Sequence, residues 1–279
     1  MKILSFFILN IYLFAQVKTN FLYEFGNFSN ASSFTISSNG FIYVTDIGRN
    51  EIKSFDTLGN QLKDIGGFGW QSGLFDQPVD VFANPLSVFV ADKNNHRIQQ
   101  FDRNLNIVGA FSNRNDENPE YSFGFPLSVT ISNQGDMFIL DGENFRALKF
   151  DMFGNFLTSF AGIDAGRFRI LRPSSMAIDS RGLIFIADEK AIKIYDSFGN
   201  GLNKIDLKHK IKNIRILFDE YTIVTNDSIY KLFIDNDSIN IIPIEISLNE
   251  ISDIKSAFIF NNKLYLLLFN KIQVFSLEP

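Results

Sequence analysis

The sequence predicts an all-β fold, a six-bladed β-propeller of four-stranded antiparallel blades, and three observations carry that reading. Aspartates that close an apolar run recur at Asp46, Asp92, Asp141 and Asp188, at steps of 46, 49 and 47 residues. A second set, Asp56, Asp102, Asp151 and Asp196, keeps pace with steps of 46, 49 and 45. Turns of one kind, Leu58-Gly59-Asn60, Phe153-Gly154-Asn155 and Phe198-Gly199-Asn200, follow the second aspartate at a fixed phase. Each period holds about four short apolar runs parted by turn residues, and a repeat of that length and content closes on itself radially.

Composition agrees with stacked sheets and excludes several functions. Hydrophobic residues are 46% of the chain and 32 residues are phenylalanine, enough for broad apolar faces on every blade. The net charge of −5 leaves no basic surplus for a phosphate backbone, so nucleic acid is not an expected partner. Cysteine is absent, which removes disulfides, thiolate metal sites, a cysteine nucleophile and a lipid-modified cysteine.

Taken in order, residues 1–15 read as a secretory signal peptide: Lys2, an apolar run from Ile3 to Phe14, and the small Ala15 before polar Gln16. The run is too short to span a bilayer, so no stable membrane span is expected once the leader is removed, and the mature chain is placed outside the cytoplasm, periplasmic or secreted. Residues 16–279 form the propeller. Phe21 to Gly26, FLYEFG, resembles the last strand of a blade but has no preceding partners. The C-terminal stretch Ser256 to Leu277 supplies three strands and stops where a fourth is due, so the N-terminal strand is expected to complete the final blade and bury both open edges. Blade one starts at Ser33, blade two spans Val79 to Phe111, blade three Leu127 to Phe160 and blade four Ser174 to Ile205. Beyond Lys210 the pattern fades, yet Tyr221 to Asn226 still matches Phe41 to Asp46, with Asn226 in the place of the aspartate, and Leu264 to Asn270 repeats it.

The glycine-rich stretch from Gly69, then Phe75, Pro78, a strand and V-A-D-x-x-N-x-R-I-Q-x-F-D at Val90 to Asp102, resembles the NHL repeat. The resemblance is fullest in blade two and extends over about residues 31–205. Six-bladed propellers of that kind include extracellular sensor domains, RNA-binding modules and a copper- and zinc-using amidating lyase, and a shared fold does not choose among them. The lyase needs several histidines, whereas this chain has His96 and His209 alone.

Two groups of residues are candidate sites. On the rim shared by the crossovers and the aspartate turns, Phe68, Trp70 and Phe75 of the segment Gly66 to Phe75 offer aromatic contacts, with His96, Arg97 and Arg146 beside them; both arginines stand five residues after a turn aspartate and can equally brace it. Loops on a rigid scaffold are where recognition residues gather, so the expected activity is non-catalytic binding of a protein, peptide or glycan, with no cofactor. The turn aspartates themselves are expected to cap backbone N–H groups and not to bind metal. In the central channel the innermost strands alternate small and polar residues, as in Ser33/Thr35, Ser128/Thr130 and Ser175/Ala177. Asp80, Asn213, Arg215, Asp253 and Lys255 break that rule. They read as a self-neutralised channel or, alternatively, as a calcium site of a lactonase-like hydrolase or lyase using the oxygens of Asp80, Asn213 and Asp253. The glutamate that propeller lactonases carry on an early strand has no counterpart here.

Overall fold

A computed structural model describes residues 8–9, 17–114, 119–235, 238–246 and 253–278. Six antiparallel sheets follow one another along the chain, each with its first strand innermost. Blade one is Ala31–Ile36, Ile42–Asp46, Glu51–Phe55 and Gln61–Gly66. Blade two runs from Pro78 to Phe111, blade three from Ser128 to Phe160 and blade four from Pro173 to Asp206. Blade five is Ile211–Leu217, Glu220–Thr225, Ile229–Asp235 and Ser238–Ile244. Its outer strand also pairs in parallel with Ile8–Leu9. The rest of the 1–15 leader lies outside the described residues, and no helix among those described is long and apolar enough to cross a membrane.

Blade six closes the ring as the sequence predicts. Ser256–Phe260, Lys263–Leu267 and Ile272–Glu278 supply three strands, and the N-terminal Lys18–Phe25 lies antiparallel along the last, with Phe21 opposite Phe275. The first and last strands of the chain thereby share one sheet, and the ring has no open seam.

The register of the last two blades corrects the sequence reading. In blades one, two and four the turn aspartate pairs with the first residue of the inner strand, Asp46 with Ala31, Asp92 with Pro78 and Asp188 with Pro173. In blade five Thr225, not Asn226, takes that place opposite Ile211, and its hydroxyl accepts the Ser228 N–H at 3.1 Å. In blade six the inner strand begins at Ser256, so Asp253 and Lys255 precede it and are exposed. Neither blade carries the aspartate marker, so a match by strand composition alone drifts by one to three residues.

A propeller has no single core. Apolar residues fill the space between each pair of neighbouring sheets: Phe34, Phe55 and Phe258 between blades six and one, Tyr43, Phe75 and Phe101 between one and two, and Phe138, Phe160 and Tyr195 between three and four. Removing a side chain as large as Phe75 from water is favourable by about 1.5–3 kcal/mol, which explains why phenylalanine recurs at these positions. The inner strands also share a device. In blades one, two, four and five a bulge falls just before the third inner-strand residue, between Ala31 and Ser33, Pro78 and Asp80, Pro173 and Ser175, and Ile211 and Asn213. A bulge of that kind re-aims the side chain that follows it, and those residues face the channel.

Candidate functional sites at the rim and in the channel

Inner strands start, and second strands end, at one rim, so the crossovers between blades and the aspartate turns meet there. Of the first aspartates, Asp46 and Asp141 cap backbone N–H groups of their own turn as expected, whereas the backbone N–H groups that Asp92 and Asp188 accept come from the crossover upstream. Asp46 accepts the N–H groups of Ser29 and Asn30, from the crossover 16 to 17 residues upstream, at 2.6 and 2.8 Å, as well as that of Gly48 at 2.9 Å. Asp188 takes those of Leu171 and Arg172 at 3.0 and 2.6 Å, and Asp92 that of Asp76 at 2.8 Å. All three carboxylates are buried, so they tie crossover to turn. The second aspartates serve the hairpins at the opposite rim. Asp56, Asp102 and Asp151 each accept two backbone N–H groups and the amide of the asparagine four residues on, Asn60, Asn106 and Asn155. These hydrogen bonds hold all three carboxyls below their ordinary range.

The crossover from blade one to blade two carries the aromatic patch. Gly66 leaves the outer strand at φ 141°, where a Cβ would sit 2.5 Å from the Asn50 carbonyl oxygen and the Glu51 Cα, so glycine is required. Phe68 and Trp70 are 74% and 75% exposed, whereas Phe75 is fully buried. Phe75 therefore leaves the predicted patch: it packs between the sheets against Phe101 and is the inner anchor of the loop.

Arg97 holds that loop in place. Its Nε donates to Asp92 Oδ2 at 2.8 Å, Nη1 to the Trp70 carbonyl at 2.6 Å, and Nη2 to the carbonyls of Gln71 and Leu74 at 3.0 and 2.9 Å. Arg146 does the same one blade on, donating to Asp141 Oδ2 at 3.2 Å and to the carbonyls of Pro119 and Ser122 at 2.9 and 2.8 Å. The Arg97 guanidinium is spent within the protein and Arg146 commits its Nε and Nη2, so both residues position the rim. His96 is also engaged. Its Nδ1 accepts the Phe125 N–H at 3.0 Å and lies 3.1 Å from Arg114 Nη1, with its ring edge-on to Phe125. Burial, then the Arg114 charge, lower its pKa from the ordinary histidine value.

Two rim aromatics escaped the sequence reading. Phe145 and Phe125 are 45% and 37% exposed, each at a positive φ in a turn. Phe145 stands where His96 does, in Asn-Phe-Arg against Asn-His-Arg, and that match was the available signal.

In the channel one buried polar residue from each blade forms a ring: Ser33, Asp80, Ser128, Ser175, Asn213 and Ser256. Asp80 meets Arg215 Nη2 at 2.6 Å and accepts the hydroxyls of Ser33 at 2.7 Å and Ser128 at 2.5 Å. Arg215 further donates to Ser33 Oγ at 2.5 Å and Ser256 Oγ at 3.3 Å, and Asn213 Oδ1 accepts from Ser256 Oγ at 3.1 Å. Asp80, Asn213 and Arg215 thus come together as expected. Asp253 and Lys255 do not join them, because the strand that would bring them to the channel starts at Ser256. Asp80 is engaged by a guanidinium and two hydroxyls, so the channel holds one carboxylate against one cation where the sequence reading had two against two.

No protein-family model matches the chain. Two curated proteins resemble half of it: the protein brain tumor of Drosophila melanogaster, 27% identical over 144 residues, and the B-box type zinc finger protein ncl-1 of Caenorhabditis elegans, 28% identical over 147. The matched regions are 13% and 16% of those proteins. Among solved structures, virginiamycin B lyase from Staphylococcus aureus superposes with a TM-score of 0.60 at 13% identity, over 94% of this chain and 100% of that one. Raptor from Chaetomium thermophilum gives 0.62 at 11%, over 95% of this chain and 29% of its own. Likeness at these identities shows the propeller fold alone.

Proposed function

We propose that this protein is an exported, non-catalytic interaction module that binds a protein partner through the rim bearing Phe68 and Trp70. The observation that carries the reading is a large aromatic pair held out to solvent on a loop that Arg97 and Phe75 make rigid. Exposed side chains of this kind are costly to leave in water, and a pre-organised loop loses little conformational freedom on binding. Tryptophan is the residue most enriched among binding hot spots, where its removal commonly costs 2 kcal/mol or more, roughly a thirty-fold loss of affinity. The NHL-like pattern of blades one to four and the two curated relatives support a protein-binding role, and the 1–15 leader supports export.

The test compares wild type with Trp70→Ala as bait in the source organism's extracytoplasmic extract, beside peptide and glycan arrays. The expected result is a protein captured by wild type and lost from Trp70→Ala, with both baits melting alike. Equal capture by the two baits would overturn the rim reading, and so would calcium-dependent turnover of a lactone or ester panel that Asp80→Asn abolishes. Recognition of an array glycan or peptide in place of a protein would reassign the partner.

A further inference from the structure

The rim opposite Trp70 encloses a cavity of about 400 Å³ at the channel mouth, walled by the hairpins that follow the inner strands. Its floor is the second ring of channel-facing residues, two positions beyond the first: Thr35, Phe82, Thr130, Ala177, Arg215 and Phe258, in blade order. Polar groups therefore alternate with apolar ones around the axis, with Thr35, Thr130 and Arg215 on blades one, three and five.

Those three polar residues are almost fully buried, at 5%, 2% and 5% exposure. Among the described residues Arg215 commits Nε and Nη2 to Ser256, Ser33 and Asp80 and leaves Nη1 without a protein acceptor. Neither the Thr35 nor the Thr130 hydroxyl has a partner among the described residues, and both threonines line the cavity. The three atoms are not sealed off: they open onto the cavity, so a ligand can reach them there and take the place of the water that would otherwise serve them.

Charge selects its chemistry. The Arg215 charge is already matched by Asp80 at 2.6 Å. At the mouth Asp179 is paired with Arg181 at 2.7 Å, and Asp219 accepts the N–H and hydroxyl of Ser180 at 3.1 and 2.6 Å. A ligand carboxylate would add a second buried anion beside one cation, and an ammonium would confront the guanidinium. A neutral oxygen acceptor suits the free Nη1–H groups and hydroxyls without either cost. Phe82, Ile131, Met176 and Phe258 line the same cavity and suit an apolar body, and the volume falls in the range of small-molecule sites.

We infer that this mouth is a second site, separate from the aromatic rim, which binds a small neutral molecule presenting a carbonyl oxygen on an apolar body. The probe is phenylacetamide, compared with phenylacetate and phenethylamine by saturation-transfer NMR on the wild-type protein. A fragment of that size is expected to bind in the roughly millimolar range, and the amide should bind best of the three. Thr35→Val with Thr130→Val, near-isosteric changes, should weaken the amide about 5–10-fold with the melting curve retained. Ala177→Leu, which fills the floor, should abolish transfer, while Trp70→Ala should leave it unchanged. Absence of transfer from phenylacetamide to wild type overturns the site. So does tighter binding of the acid or the amine, or binding that survives Ala177→Leu in a protein that melts normally.

Discussion

Replacing Arg97 with methionine separates the brace of the rim from the aromatic patch it supports. Methionine keeps an aliphatic stem and loses four hydrogen bonds, one to Asp92 and three to the carbonyls of Trp70, Gln71 and Leu74. Asp92 is fully buried, and burial raises its carboxyl pKa against the bonds that stabilise the anion, so its loss of a cation matters. Breaking a buried pair from one side costs about 3–5 kcal/mol. Part of that is recovered here, because Asn95, Gln99 and the Asp76 N–H still serve the carboxylate and the rim carbonyls regain water. A net loss of about 2–4 kcal/mol follows. In a chain of this size that lowers Tm by roughly 5–15 °C. Circular-dichroism melts measure the shift, and amide exchange across residues 67–75 should accelerate in the same variant. Arg97→Lys restores one charge without the fork and should fall between. A methionine variant that melts within about 2 °C of wild type, with exchange in the loop unchanged, would refute the brace.

Two further outcomes follow from the channel and the hairpins. Asp80→Ala leaves Arg215 buried without its counter-charge and should destabilise by about 3–5 kcal/mol, with Asp80→Asn costing less because an amide oxygen still accepts; equal melting of the two variants in thermal scans would contradict the pairing. Asp56, Asp102 and Asp151 have folded pKa values below their unfolded ones, so the unfolded chain takes up protons first as pH falls. Their contribution to stability should be level above about pH 4 and decline below it, and Asn60→Ala with Asn155→Ala should flatten that decline in melts from pH 7 to 3 compared with wild type; superimposed profiles would count against the turn bonds.

The sequence made some of these contacts legible because their cause is local. An aspartate followed four residues later by asparagine, with glycine between, reports its own hairpin, and the period of such turns places blades one to four within a few residues of their observed bounds. Closure was legible for a different reason: three strands at one end of the chain and one at the other leave a single way to bury both edges. Phe75 was misread because an aromatic in a glycine-rich loop carries no local mark of which way it points; it faces the space between sheets, and Trp70 five residues earlier does not. Blade six was misplaced because Leu268 stands where the aspartate would be, and without that carboxylate nothing in the run from Ile251 to Phe260 marks the third inner-strand position.

The contact between Asp80 and Arg215 is the part that spacing could not have supplied. They belong to blades two and five, which stand opposite in a ring of six, so the pair spans the channel and not a blade boundary. From Arg215 further bonds reach Ser256 of blade six and Ser33 of blade one, and from Asp80 another reaches Ser128 of blade three. Ser128 Oγ in turn accepts the Met176 N–H of blade four at 3.3 Å. One ion pair thus touches every blade directly or through a serine. A buried pair adds little net stability over apolar residues of the same size. Its consequence here is geometric: the guanidinium meets its carboxylate only when six blades hold the channel at this width, so the strand seam and the axis impose the same closure. The same commitment of Nε and Nη2 leaves Nη1 as the remaining donor of Arg215, a residue that lines the cavity.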